Sequence, residues 1–414
     1  MDLIFTPVIL VSLLVGFYMA WNIGANDLAN SMGTSVGSRA LSIKQAILVA
    51  AILEFGGAVF VGSHVTDTVR KKIVDVKVLS LHIGPETFIC GMLAAILGAA
   101  IWITIATYFS LPVSTTHSIV GAVVGFGIVA AGIDTINFGK LAEIVASWII
   151  SPIAGGVLSF FTFTIIKRKV FDRDDKMESA KRVVPYFVGF VFVVLALSMV
   201  YKGLKNLHLD MAIGEASLMA LMIGGMSGGA THLFLKNYRT KLEDEYQQVE
   251  NFFKHLQILT ACYVAFAHGA NDVANAVGPL AAIVSVARTG DILQRTTVPI
   301  WILVIGGIGI ALGIATWGQR VIETIGKRIT EITFTRGFSA EFGAATSILI
   351  CSKLGLPVST SHTLVGSVVG VGFAHGIGAI DLGVIREIIA AWLLTIPVAA
   401  GLTVMIYELL LLII

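Results

Sequence analysis

A chain of 414 residues that is 56% hydrophobic and 13% charged, with a mean hydropathy of +0.89, has too little polar surface to cover a soluble body of its size. This excludes a water-soluble enzyme or binding module and predicts an integral membrane protein, since apolar runs of roughly 18 to 25 residues recur along nearly its whole length. The net charge of +2 points away from nucleic acid, and Cys90, Cys262 and Cys351, scattered in apolar stretches without CxxC spacing, point away from a disulfide framework or a zinc site.

The first apolar run starts at Leu3 with no basic n-region and no convincing cleavage site, which reads as a retained span. Apolar and small residues continue through an Asn/Asp cluster to about Leu41. That is too long for one straight crossing, so a broken or strongly tilted helix is expected. Span 2, from about Lys44 to Ser63, contains Glu54, and span 3 runs from about Glu86 to Tyr108. Pro112 and a run of hydroxyls then interrupt the pattern, which resumes from Ile119 to Ala131 as a broken or re-entrant element. A fifth segment covers about Leu141 to Ile166. Segments near Val184–Tyr201 and Met211–Leu235 follow, and the apolar pattern restarts at about His255.

Two motifs recur at a single offset of 245 positions. Gly24-Ala25-Asn26-Asp27-Leu28-Ala29-Asn30 returns as Gly269-Ala270-Asn271-Asp272-Val273-Ala274-Asn275, and Leu111-Pro112-Val113-Ser114-Thr115-Thr116-His117 returns as Leu356-Pro357-Val358-Ser359-Thr360-Ser361-His362. One offset for two motifs means two copies of one unit. With the N-terminus outside, the loop Lys167–Arg182 lies inside with seven Lys and Arg, as do Lys236–Lys254 and Arg320–Arg336 with four each. The positive-inside rule favours this orientation, although the outer loop holding Arg70, Lys71, Lys72 and Lys77 runs against it. About 12 segments result, with the copies starting an odd number of crossings apart, so the second is inverted. The expected fold is an all-α polytopic membrane protein with two inverted-topology repeats, 1–166 and 255–414, joined by linker spans at 167–254.

Asp272 falls near the middle of its segment, where a carboxylate costs on the order of 3 kcal/mol on insertion scales and normally faces the protein interior. Asp27 and Asp272, with Asn30 and Asn275, offer hard oxygen donors suited to a small hard cation such as Na⁺. Buried structural hydrogen bonding between helices is the alternative. Proline followed by hydroxyls reads as a fresh helix start, whose free N–H groups and positive dipole end bind an anion without Lys or Arg. Ser114, Thr115 and Thr116 with Ser359, Thr360 and Ser361 would then surround a tetrahedral oxyanion, phosphate or sulfate, with Asn26 and Asn271 beside it. Plain N-capping is the alternative here. A Ser/His nucleophile at Ser114 and His117 is set aside, because the spacing is one helical turn and no repeated acid accompanies it. The remaining histidines, His268 among them, receive no role. Glu54 and Glu341 are not repeat equivalents: Glu341 begins the element before Leu356-Pro357 and aligns onto Ile96, and each of the two could bind a cation, pair with a buried polar group or relay a proton.

With these residues in place, the chain resembles the inorganic phosphate transporter (PiT) family, which includes sodium-coupled and proton-coupled members. Gly24–Asn30, Gly269–Gly278 and the paired Leu-Pro-Val-Ser-Thr stretches carry the resemblance over nearly the full length. It implies phosphate uptake through an inverted-repeat core, no catalytic residues, no cofactor beyond Na⁺ as the co-transported ion, and importance for Glu54 and Glu341. The short central loop departs from many eukaryotic relatives and favours a bacterial or archaeal inner membrane. The expected function is Na⁺-coupled phosphate import in the lipid bilayer, with both termini outside and a homodimer left open as an assembly. Proton coupling and sulfate as substrate stay open; an anion channel is a third reading, and a hydrolase lacks an activated nucleophile.

Overall fold

The computed structural model describes residues 7–62, 74, 76–200, 212–238, 244–292, 298–353 and 358–412. Among these, structure is helical apart from an isolated bridge between Val74 and Ile136. Among the described residues, nine helices are long and apolar enough to cross a membrane. In chain order they and their shorter companions are α1 Pro7–Gly37, α2 Ile43–Val61, α3 Val76–His82, α4 Pro85–Tyr108, α5 Thr115–Ala131, α6 Phe138–Ile166, α7 Lys176–Ser198, α8 Ile213–Lys236, α9 Glu245–Thr289, α10 Ile300–Trp317, α11 Gln319–Glu323, α12 Phe334–Lys353, α13 Thr360–His375 and α14 Leu382–Leu411.

One expectation is narrowed and two are corrected. Of the two options for the first span, broken or strongly tilted, the break is absent: α1 is one helix of 31 residues, about 46 Å at 1.5 Å per residue, longer than a hydrocarbon core of about 30 Å. Its glycines are contact points and not breaks. A Cβ on Gly24 would lie 2.0 Å from the Ile310 carbonyl oxygen, so only hydrogen lets α1 and α10 approach this closely. The second-copy helix starts at Glu245, capped by Asp244, well before His255, because its first turns carry charges that suit a helix reaching out of the bilayer. Glu341 lies well inside α12 and does not begin it: the helix starts at Phe334, and the charged Arg336 in its first turn had placed that turn in a loop.

The break between α4 and α5 is as expected. Ser110 adopts a left-handed φ of 58°, Pro112 follows, and Ser114 caps α5 by accepting from the His117 N–H. Such a break inside a membrane leaves backbone groups without water, and side chains satisfy them here. Asn26 accepts from the Val113 N–H and donates to the Leu111 carbonyl, Trp392 donates to the Pro112 carbonyl, and Thr324 donates to that of Ser110. The matching break in the second copy, with Leu356 and Pro357, lies outside the described residues, as do Arg70, Lys71 and Lys72.

The helices of the two copies interleave. α1 packs on α10 while α9 packs on α2; α4 packs on α14 while α6 packs on α12; α5 meets α14 while α13 meets α6. α7 and α8 pack on each other, and α7 also touches α9 and α12.

Candidate functional site

α1 and α9 carry the two Asn/Asp motifs into the interior and pack side by side, and the starts of α5 and α13 close over them. Both aspartates are buried. Asp27 accepts from Thr115 Oγ1 at 2.9 Å, and Asp272 accepts from Thr360 Oγ1 at 3.4 Å, the same bond within each copy. The asparagines reach across: Asn30 Nδ2 donates to Ser361 Oγ at 2.7 Å, and Asn275 Nδ2 donates to Thr116 Oγ1 at 3.1 Å. Each bond is the other with the copies exchanged.

Asn30 also donates to Asp27 Oδ1 at 2.6 Å, while its own Oδ1 is buried without a hydrogen-bond partner. A partnerless buried carbonyl oxygen calls for a donor or a cation. Asn30 borders a cavity of about 20 Å³, room for one water-sized particle, that Asn271, His268 and Thr360 also line.

His268, for which the sequence predicts no role, stands at the centre. Its Nε2 is 2.7 Å from Asp272 Oδ2 and 3.5 Å from Asp27 Oδ2, and its Nδ1 is 2.9 Å from Glu54 Oε2. One ligand atom each from Asp27, His268 and Asp272 lie within 4.8 Å of one another. A neutral imidazole donates from one nitrogen only, so facing carboxylates on both sides takes either a second proton or a cation between the groups. The signal was in the sequence: His268 and Asp272 are one helical turn apart. The 245-residue offset places Ile23 opposite His268, so a search for repeated residues passes over it.

The two glutamates read neighbouring turns of α1. Glu54 accepts from Ser31 at 2.9 Å; Glu341 accepts from Thr34 at 2.5 Å and Ser35 at 2.9 Å on one oxygen, and from Thr260 of α9 at 2.5 Å on the other. Neither has an acidic counterpart. Ile96 stands opposite Glu341 by the common offset, and Ile310 takes the place of Glu54, since Gly24 abuts the Ile310 carbonyl as Gly269 abuts that of Glu54.

The remaining expected site residues divide by what already occupies them. Asn26 is spent on the α4–α5 break, and also donates to Thr107 at 2.8 Å. Ser114 and Ser359 cap their helices, accepting from the His117 and His362 N–H groups, which accounts for the Ser/His spacing. The two imidazoles turn away from the hydroxyls and pack edge to face, centroids 4.9 Å apart, with His362 stacked on Trp392 at 3.7 Å. The first backbone N–H groups of α5 and α13, on Thr115, Thr116, Thr360 and Ser361, are positions that have no acceptor within their own helix.

Residues 23–403 match the profile of the Phosphate transporter family, a span that takes in both Asn/Asp motifs and both hydroxyl runs. The chain belongs to the phosphate transporter family. As a member, it is a membrane transporter and not an enzyme. A Pyrococcus abyssi protein described as a candidate phosphate permease is 48% identical over 98% of each chain. The inorganic phosphate transporter 2-1, chloroplastic, of Arabidopsis thaliana is 43% identical over 95% of this chain and 70% of its own. A solved structure described as the sodium-dependent phosphate transporter superposes with a TM-score of 0.89 at 43% identity, covering 99% of this chain and 100% of that one.

Proposed function

We propose that this phosphate transporter imports inorganic phosphate by symport with Na⁺ across the cell inner membrane, with both termini outside. Two inverted repeats, 1–166 and 255–414, would alternate access to a site at their interface, with 167–254 as the linker. The observation that carries the reading is the pairing of buried Asp27 and Asp272 with the hydroxyls that open α5 and α13, beside a partnerless Asn30 carbonyl. Phosphate takes the free N–H groups and hydroxyls at the two helix starts. Na⁺ takes Asp27 and the Asn30 oxygen, with Asp272 and Asn275 completing the oxygen donors. Two carboxylates next to an anion repel it in a low-dielectric interior, and the cation removes the conflict. The sodium dependence of the solved relative favours Na⁺.

His268 supports a second reading. An imidazole set among Asp27, Asp272 and Glu54 can carry a proton where Na⁺ would otherwise sit, which gives proton-coupled uptake. The two readings part in a titration. Linkage makes the effect of Na⁺ on phosphate affinity equal to that of phosphate on Na⁺, and usual coupling corresponds to roughly five- to 150-fold. Calorimetry of the purified protein in Na⁺ and in choline, at fixed pH and ionic strength, should show phosphate binding tightened by Na⁺ in this range. Equal affinity in both salts with a dependence on pH would hand coupling to the proton; indifference to both would favour a channel.

A further inference from the structure

A groove of about 910 Å³ lies between α6, α13 and α14, away from the site. Its walls are apolar throughout, with Ile149, Ile153 and Leu393 largely exposed along its rim. Its floor is made of glycines: a Cβ on Gly370 would meet the Gly156 carbonyl oxygen at 2.1 Å, so α6 and α13 touch backbone to backbone and leave the space above them open. α6 lines the groove from Val145 to Phe161, about 24 Å of helix rise, more than the roughly 15 Å depth of one lipid leaflet.

One end of this groove is basic. Phe161 and Phe373 mark that end, and the chain continues from them into exposed Lys167 and Arg168 and into His375. Arg336 donates to His375 and sits over the Phe163 ring, and Lys167 is near enough to act electrostatically on His375. Among the described residues, no carboxylate lies within ion-pair distance of Arg336, Lys167 or Arg168. Glu331 and Glu250 act electrostatically on His375 and Arg336 respectively, and Glu250 is already engaged by the Thr335 N–H and the Thr333 hydroxyl.

We infer that this groove holds one anionic phospholipid, an acyl chain lying along α6 and the phosphate headgroup at the exposed Lys167 and Arg168. The charge pattern selects this occupant. A zwitterionic lipid has no use for a cluster of unpaired cations, whereas anionic lipids gain roughly fivefold in affinity per nearby Lys or Arg. The lipid also has a point of contact with the rest of the molecule. Trp148 and Trp392 line the groove and are the indoles against which His117 and His362 pack, one turn behind the two hydroxyl runs. An acyl chain there braces both helix starts from the rear.

Native mass spectrometry of the full-length protein, extracted from vesicles of equal phosphatidylglycerol and phosphatidylcholine, tests this. One phosphatidylglycerol per chain should survive delipidation in preference to phosphatidylcholine. The double variant Lys167→Gln/Arg168→Gln should lower its retention at least tenfold, and Val157→Trp, which fills the groove without changing charge, should do the same. Lys140→Gln, a change of the same kind at the other end of α6, should leave it unchanged, and each variant's thermal midpoint in detergent reports its folding. Equal retention of both lipids, or retention of phosphatidylglycerol by folded Val157→Trp, would overturn the proposal. So would disulfide cross-linking of two copies through Ile153→Cys, since a second chain and not a lipid would then cover the groove.

Discussion

The two copies of the repeated unit agree in their aspartates and hydroxyls and disagree in their other ionisable groups. Asp27 with Thr115 and Asp272 with Thr360 are the same pair twice, and the crossed bonds Asn30–Ser361 and Asn275–Thr116 exchange into each other. Glu54, His268 and Glu341 have no such partners: Ile310, Ile23 and Ile96 stand in their places. A tetrahedral anion presents equivalent oxygens to both sides and suits two matching half-sites. A cation that must enter and leave in one direction gains nothing from equivalence. Under the proposed function, the shared hydroxyls therefore recognise phosphate, the shared aspartates hold the cation, and the unshared groups set the direction of coupling.

The largest effect should come from the shared charges. Asp27→Asn and Asp272→Asn are each expected to lower Na⁺-driven phosphate uptake into proteoliposomes by up to about 100-fold, near the upper range of coupling between interacting sites. Both proteins should stay folded, because Asn keeps the shape. Uptake with unchanged Na⁺ dependence in both would remove the aspartates from the cation site.

The contrast itself is probed at His268. His268→Ile gives the second copy the residue of the first, strips a hydrogen bond from Glu54 and removes the imidazole that faces Asp272. A hydrogen bond to a charged group is worth about 1.5–3 kcal/mol, so the Na⁺ concentration for half-maximal uptake should shift by roughly tenfold or more. Ile23→His should not restore it, since that position has no Glu54 across from it. Rescue by the double variant would show that the copies are interchangeable after all.

The smallest effects should be equal ones. Thr115→Val and Thr360→Val each remove one hydroxyl of neutral hydrogen-bonding strength, about 0.5–1.5 kcal/mol, and should weaken phosphate binding by roughly 2- to 12-fold. Calorimetry in saturating Na⁺ measures both. A loss in one variant alone would mean that phosphate leans on a single helix start.

The sequence disclosed what was repeated and the two intramembrane glutamates, and hid His268. Asp27, Asp272 and the hydroxyl runs stood out because a common offset singled them out from other buried polar residues. His268 has an isoleucine as its counterpart, and histidine spacing alone gave no metal pattern, so only the fold could bring it against Glu54 on a different helix. Asn26 looked like a ligand because it sits within the motif, yet its neighbour in space is the chain break 85 residues on, at Leu111. Helix limits failed where chemistry has two uses. Glycines that punctuate a soluble helix serve as contact points in α1, and the charges of Glu245, Glu250 and Lys254, which read as a loop, belong to a helix that outruns the bilayer.

The break between α4 and α5 looks like a hinge on paper and behaves as a weld. Its carbonyls and N–H groups are held by Asn26 of α1, Thr324 just past α11, Trp392 of α14 and Ser361 of α13, which takes the Val113 carbonyl at 3.2 Å. Bending there means giving up four side-chain anchors at once in a place without water to replace them. The opposite end of α5 stops at Gly132, at a positive φ of 86° with nothing within reach of a Cβ, and is tied to its own turn by Thr135, which donates to the Gly127 and Gly132 carbonyls; α13 stops at Gly376, also at a positive φ. Under the proposed function, a motion that uncovers the site is therefore expected to carry the α4–α5 break together with its four anchors, and the glycines at the far ends of α5 and α13 are where the backbone can give.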